Sequence, residues 1–528
     1  MKKKKYIALL LIFILIVGSG CIQKKVSNTN NRNYIVYNME ELPEDLLMLN
    51  NSSIRQEELI LCLFEGLVST DANGNIIPAL SDKWSVSENK LTYNFHIREG
   101  AKWSDDTIVT AKDYVTFFSK LLSEGSNVYS NQLQCIFGVK DYVDKKIDFD
   151  GVAITAKDDE NLEIRLNYPC SYFLEIISQP MFTLRKNFLN LKHWKNDFKK
   201  IKYTGPFILD EIYSNGELAL KKNKNYWDSE SVTTDKIHIT SEGTTAFALA
   251  KYNLKQIDGF TSLPPSEMDT FESSEKLVKG PMAQGVSLNF NLNKDGILRD
   301  VNFRKFINLV INKSNMESEL NGILKVDSLY IPNNIKGIGK RDGYVNINKV
   351  NNNLEKTLAD NKYKGEKLKL VYLNSDDKNR IIANSIAKDM KKVNISIISQ
   401  GYNKEELKKV LDNKDYHILL TSYVGEYDSP FSFLEKWIST SDYNISGYKN
   451  FDFDSYVLRG RVLNNLEEAG NNFRKAEEIL LKDVPFIPLG FYNTVLCKKS
   501  YINGIEINKR GNIILKKIYA ETSKDETP

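Results

Sequence analysis

The first twenty-one residues decide where the rest of this chain can fold. Four lysines (Lys2 to Lys5) precede an unbroken apolar run of eleven residues, Ile7 to Val17, which stops at Gly18-Ser19-Gly20-Cys21. A charged start, a short apolar stretch and small residues at its end make a secretory signal peptide. A spanning helix needs about 20 apolar residues, so this run is too short for one. The chain beyond Cys21 is expected to fold outside the cytoplasm, and no second apolar stretch approaches membrane length. The formal charge of +4 goes with the four lysines, leaving a near-neutral chain whose charged residues, 27% of the total, mix both signs. Nucleic acid asks for a concentrated basic face, so it is not an expected partner.

Small residues directly before a cysteine resemble the lipobox of bacterial lipoproteins, in which the sulfur is acylated and the cysteine becomes the new N-terminus. That resemblance implies a lipid on Cys21, with the protein held at the cell membrane on its extracytoplasmic face. Residues 22–33 are polar and rich in Asn, which reads as a tether, and 521–528 as a frayed tail. The other cysteines, Cys62, Cys135, Cys170 and Cys497, show no CxxC spacing. Neither a metal motif nor a cofactor motif is expected from them, and sequence cannot pair them.

With 528 residues, 41% of them hydrophobic, the chain can bury several cores, about two to four domains. Tyr34 to Tyr37 favours a strand, and a helix is expected from about Glu57 to Leu67. Leu91 to Ile97 alternates, with Leu91, Tyr93, Phe95 and Ile97 on one face. Thr110 reads as a helix N-cap with Asp113 three residues on. Val286 to Leu292 alternates as a strand, Phe303 to Ile311 has helical spacing, and Asn471 to Leu481 forms an amphipathic helix before Pro485. Asn333 to Lys349 reads as a glycine-containing loop whose spacing misses the dinucleotide fingerprint. Without a strict βαβ rhythm, mixed α/β lobes fit better than one doubly wound sheet.

The chain offers little for catalysis. Its four histidines, His96, His193, His238 and His417, make no close pair and no HExxH, and there is no Gly-x-Ser-x-Gly elbow or Walker loop. His96, His238 and His417 are expected to be hydrogen-bonded structural residues. Paired carboxylates of the glycosidase kind remain an open alternative, since acids are plentiful.

A set of ordered blocks does stand out. Leu63-Phe64-Glu65-Gly66-Leu67, with Asn73 to Leu80 and Trp84, comes first; Phe95 to Asp105 and Thr110 to Asp113 come second. Tyr203 to Phe207, Lys222 to Trp227, and Asn289 to Arg304 with Asp300 and Arg304 in register come next. Glu426 to Leu434, then Tyr448-Lys449-Asn450, and Pro485 to Leu489 close the set. Together they resemble the extracytoplasmic oligopeptide- and dipeptide-binding proteins, the family 5 solute-binding lipoproteins of peptide ABC importers. One departure is Asp105-Asp106-Thr107-Ile108, where the family has Asp-Gly-Thr-Pro.

The resemblance implies an α/β fold of two lobes, periplasmic-binding-protein-like (type II, cluster C), with an accessory domain and hinge strands joining the lobes. Lobe I would comprise 34–62, 191–280 and 486–520, the accessory domain 63–190, and lobe II 281–485. It implies a binding protein, not an enzyme, that encloses oligopeptides and delivers them, as a monomer, to permease and ATPase subunits. Glu426 matches the family's ammonium-binding aspartate, the alternative being a solvated turn acid. Tyr423 would give an aromatic wall, and Ser422 to Val424 backbone groups. Tyr129 matches a family tyrosine facing the cleft, Ser52, Ser53 and Ile54 a strand that pairs with the peptide, and Thr261 and Ser262 the same cleft. Leu420 falls where some members place an arginine for the peptide carboxylate. A receptor of the same fold for nickel, haem or sugar, or a sensor of signalling peptides, stays open.

Overall fold

The computed structural model describes residues 32–49, 53–241, 244–274, 276–341, 363–374 and 377–521. The signal segment, Cys21, the tether as far as residue 31, Ser52, residues 342–349 and the tail from 522 lie outside the described residues.

Two long strands explain how one sheet can serve two lobes. Leu277–Phe290 has 14 residues and Phe486–Lys498 has 13. They run antiparallel, from Leu277 opposite Cys497 to Asn289 opposite Phe486. At one end Phe486–Lys498 takes Gly259–Thr261 as its other neighbour, with Thr261 opposite Leu496. At the other end Leu277–Phe290 takes Ile418–Val424, with Gln284 opposite Val424 and Phe290 opposite Ile418. Register shifts at Lys279/Met282 and Met282/Gln284 fall between the two, where an extra residue bends and twists a strand. The sheet thus changes partners where its crossing strands bend.

Outward from that pair, the 11-stranded sheet continues through Gly259–Thr261, Ile35–Asn38, Lys236–Thr240, Leu218–Lys222 and Phe207–Ile212 on one side. On the other it continues through Ile418–Val424, Leu368–Leu373 and Ile397–Tyr402, and Leu324–Val326 adds to Phe486–Lys498. A separate sheet of four strands, Ser81–Val86, Thr92–Ile97, Asn161–Arg165 and Ile154–Ala156, lies within the segment 63–190 expected as an accessory region. Its alternation is as the sequence reads: Tyr93, Phe95 and Ile97 are buried. Helix Ala111–Ser123 starts at Thr110, whose hydroxyl accepts from Asp113 N while the Asp113 side chain accepts from Thr110 N, satisfying two amides with no helical partner. Asp113 also takes the indole N–H of Trp103 at 3.2 Å, which ties two motif blocks together.

Apolar packing crosses the molecule. Tyr427, Phe431 and Phe473 share a core with Trp103, Phe117 and Phe173 of the accessory region. Tyr172 stacks on Tyr427 at 5.4 Å and on Phe431 at 5.6 Å. A second core joins Phe260, Val286, Leu288, Phe303, Ile382 and Ile487.

Two expectations need correction. The helix placed at Glu57 to Leu67 is Ile54–Leu63, because Ser53 caps it: its hydroxyl accepts from Gln56 N and the Gln56 side chain accepts from Ser53 N. Ser53 and Ile54 therefore begin a helix and do not lie in a strand. The histidines are structural as expected. His96 binds Asp82 at 2.7 Å, His238 binds Glu217 and stacks on Tyr34, and His417 accepts from Lys369 N at 3.0 Å. Cys62, Cys135, Cys170 and Cys497 are buried and unbridged. Among the described residues, no helix is long and apolar enough to cross a membrane.

Candidate functional site

Three motif blocks far apart in sequence meet at one wall of an inter-lobe cavity. Glu65 accepts from the hydroxyl of Tyr226 and from the indole N–H of Trp227 at 3.3 Å. Its own backbone N–H donates to Thr204 Oγ1 at 3.0 Å. Gly205 lies so close that an added Cβ would stand 2.5 Å from Phe64 N and 2.6 Å from Leu63 C, so only glycine fits. Burial pushes the Glu65 carboxyl above its usual value, offset in part by Lys516 and by the two ring donors. These blocks hold the fold around the cavity.

The cavity has a volume of about 380 Å³ and takes its walls from segments far apart in the chain, among them Glu65, Ser69, Glu175, Glu426, Asp428 and Arg510. Pockets for small ligands run from about 300 to 1,000 Å³, so this one is of ligand size. Ion pairs stitch its rim: Lys509 to Asp428 at 2.6 Å, Lys336 to Glu175, and Lys516 to Asp228 at 2.6 Å. No group of His, Cys, Asp and Glu among the described residues is arranged to hold a metal.

Glu426 sits in this wall, its side chain 18% exposed. Lys436 Nζ reaches its Oε1 at 3.2 Å, and Arg510 lies 3.9 Å from its Oε2. Burial alone would raise the carboxyl; Lys436 and Arg510 outweigh it and hold Glu426 below its usual value. Arg510 also donates to Gly425 O at 3.0 Å and to Glu57 Oε1 at 2.9 Å. It rises from a hairpin in which Glu506–Ile507 pairs with Ile513–Ile514.

Of the residues the sequence nominated, Val424 and Glu426 line the cavity. Tyr423 instead lies over Gly285, its partner in register, and stacks on Tyr330 at 4.3 Å with its hydroxyl donating to Tyr330 O at 2.9 Å. Ser422 accepts from Gln284 Nε2 at 2.9 Å. Tyr129 is buried against Phe182, in a small neighbouring cavity shared with Glu57 and Arg185. Thr261 closes its strand, and Ser262, at φ +62°, donates to Glu40. Ser53 donates to Glu41 at 3.0 Å. Sequence reasoning missed Lys436, Arg510 and Glu57. Lys436 is ten residues from Glu426 and Arg510 eighty-four, and no local pattern marks a pairing at such separations.

Known proteins resemble this chain in sequence and fold. The chain is 27% identical to the dipeptide-binding protein DppE of Bacillus subtilis over 86% of each chain. It is 25% identical to the oligopeptide-binding protein OppA of the same organism, over 98% of this chain and 100% of that one. Among solved structures, the Escherichia coli murein tripeptide-binding protein MppA superposes with a TM-score of 0.83, at 22% identity over 93% of this chain and 99% of that one. The unliganded open form of MppA, also 22% identical, superposes over 93% of this chain and 98% of that one with a TM-score of 0.73. The family model of the bacterial extracellular solute-binding proteins, family 5 (middle), matches residues 75–444, and the chain belongs to that family, as a two-lobed α/β solute-binding protein.

Proposed function

We propose that this protein captures oligopeptides between its lobes and hands them to the permease and ATPase subunits of an ABC importer. In this reading a lipid on Cys21 holds it, as a monomer, at the outer face of the cell membrane. The family is one of binding proteins rather than enzymes. The observation that carries the peptide reading is an open strand edge beside the cavity. Ile418–Val424 pairs along its whole length with Leu277–Phe290, and on its other side Ile418, Leu419 and Leu420 pair with Leu368–Leu373, with no strand partner for Thr421 to Val424 among the described residues. Thr421 to Val424 run on past the end of that neighbour and into the cavity wall at Val424. An extended peptide can add to such an edge through its main chain, leaving its side chains to the cavity. The names of the relatives DppE and OppA support the same ligand class.

Native mass spectrometry of the soluble chain starting at Ile22, followed by denaturation, tests this. A ladder of short peptides is the expected release. A metal, haem or sugar mass would keep the fold and overturn the ligand.

A further inference from the structure

The sequence expectation leaves Glu426 waiting for the ammonium of a ligand, but the chain already supplies one. Lys436 Nζ donates to Glu426 Oε1 and to Val424 O, each at 3.2 Å. A carboxylate and a strand-end carbonyl are the two acceptors that an N-terminal ammonium, laid along the open edge, would seek. Lys436 is also well held. It belongs to the turn Glu435–Trp437, and Trp437 packs on Phe486 at 4.6 Å and on Tyr330 at 5.9 Å.

The charges around it close to zero. Glu57 and Glu426 are matched by Arg510 and Lys436. The neighbouring Glu435 carboxyl is pushed up to about 8 by burial, so at neutral pH it mostly keeps its proton and adds little charge. A further ammonium would place three cations around two carboxylates in a mostly enclosed site, and a buried charge without a partner is costly. A neutral group adds no such charge and can still pair its main chain with the edge at Thr421 to Val424.

We propose that Lys436 permanently fills the ammonium position of this receptor, and that its ligands are peptides whose N-terminus is blocked or otherwise uncharged, by acylation or cyclisation. This rests on the peptide reading above. Ligand selection then lies with Lys436 and Glu426 together: the lysine excludes a free amine, and the glutamate holds the lysine.

Calorimetric titration of a matched peptide pair, identical except for N-acetylation, tests it on the wild type, Lys436→Met and Lys436→Arg. The wild type and the arginine variant are expected to bind the acetylated peptide at least tenfold more tightly. Lys436→Met, which frees Glu426, is expected to reverse that order, and its thermal transition shows that it folds. Tighter binding of the free amine by the wild type, with the ratio unchanged in Lys436→Met, would overturn this inference alone. No binding of either peptide by any of the three proteins would overturn it together with the peptide reading.

Discussion

Glu65 and Glu426 line the same cavity and are stabilised by opposite means. Glu65 accepts hydrogen bonds from neutral donors, the Tyr226 hydroxyl and the Trp227 indole, and burial outweighs them and the charge of Lys516, so its carboxyl is raised. Glu426 is held by two cations, Lys436 and Arg510, and its carboxyl is lowered. The first arrangement joins motif blocks into a wall. The second joins segments that meet across the cleft, since Arg510 comes from the C-terminal hairpin while Glu426 and Lys436 come after the strand Ile418–Val424. One region fixes the shape of the cavity, and the other fixes its charge.

The comparison can be broken most severely on the Glu65 side. Gly205→Ala drives a methyl into the backbone of Leu63 and Phe64 and is expected to cost about 3 kcal/mol, the upper range for overpacking; urea unfolding measures it. A cost near zero would mean that the motif blocks can separate without loss.

Next in size is Glu426→Gln, which leaves Lys436 and Arg510 sharing one carboxylate fewer. Breaking a fully buried pair costs about 3–5 kcal/mol. With 18% of this side chain exposed, about 2 kcal/mol is expected. Its pH dependence separates the two regions. Glu426 has a folded value below the ordinary 4.5, so its contribution is full above 4.5 and is lost as pH falls through the folded value. Glu65 has a folded value above 4.5, so its contribution is full below 4.5 and is lost as pH rises through the folded value. The stability gap between wild type and Glu426→Gln should therefore widen as pH rises from acid to neutral, and that between wild type and Glu65→Gln should narrow. Slopes of the same sign in the two variants would erase the distinction.

The smallest effect expected is that of Tyr226→Phe, which removes one donor from Glu65 and leaves the ring in place. About 1.5 kcal/mol is expected from the loss of one buried hydrogen bond, with peptide affinity unchanged. A change in affinity would move Glu65 from the wall into the binding site.

The legibility of the sequence divides along the same line. The blocks around Glu65, Trp103 and Thr110 are contiguous and carry local chemistry: alternation in Thr92–Ile97, a cap at Thr110 and an acid at Asp113 that serves both helix and indole. The spacing of Ser53 and Gln56 carries the cap of helix Ile54–Leu63, yet alignment to a peptide-pairing strand placed Ser53 and Ile54 wrongly. Glu426 could be nominated from its motif, and it does line the cavity. Its partners could not, because Lys436 sits on a three-residue turn without periodicity and Arg510 on a hairpin loop. Charge neutralisation across a cleft is a property of the assembled fold, and no window of sequence contains it.

The most direct measurement is calorimetric binding of a short N-acetylated peptide to wild type and to Ser69→Trp, which fills the cavity from the half-buried strand Val68–Thr70. Saturable one-to-one binding by the wild type, lost in Ser69→Trp without a change in its thermal transition, is the predicted result. Undiminished binding by a correctly folded Ser69→Trp would place the ligand elsewhere and contradict the account.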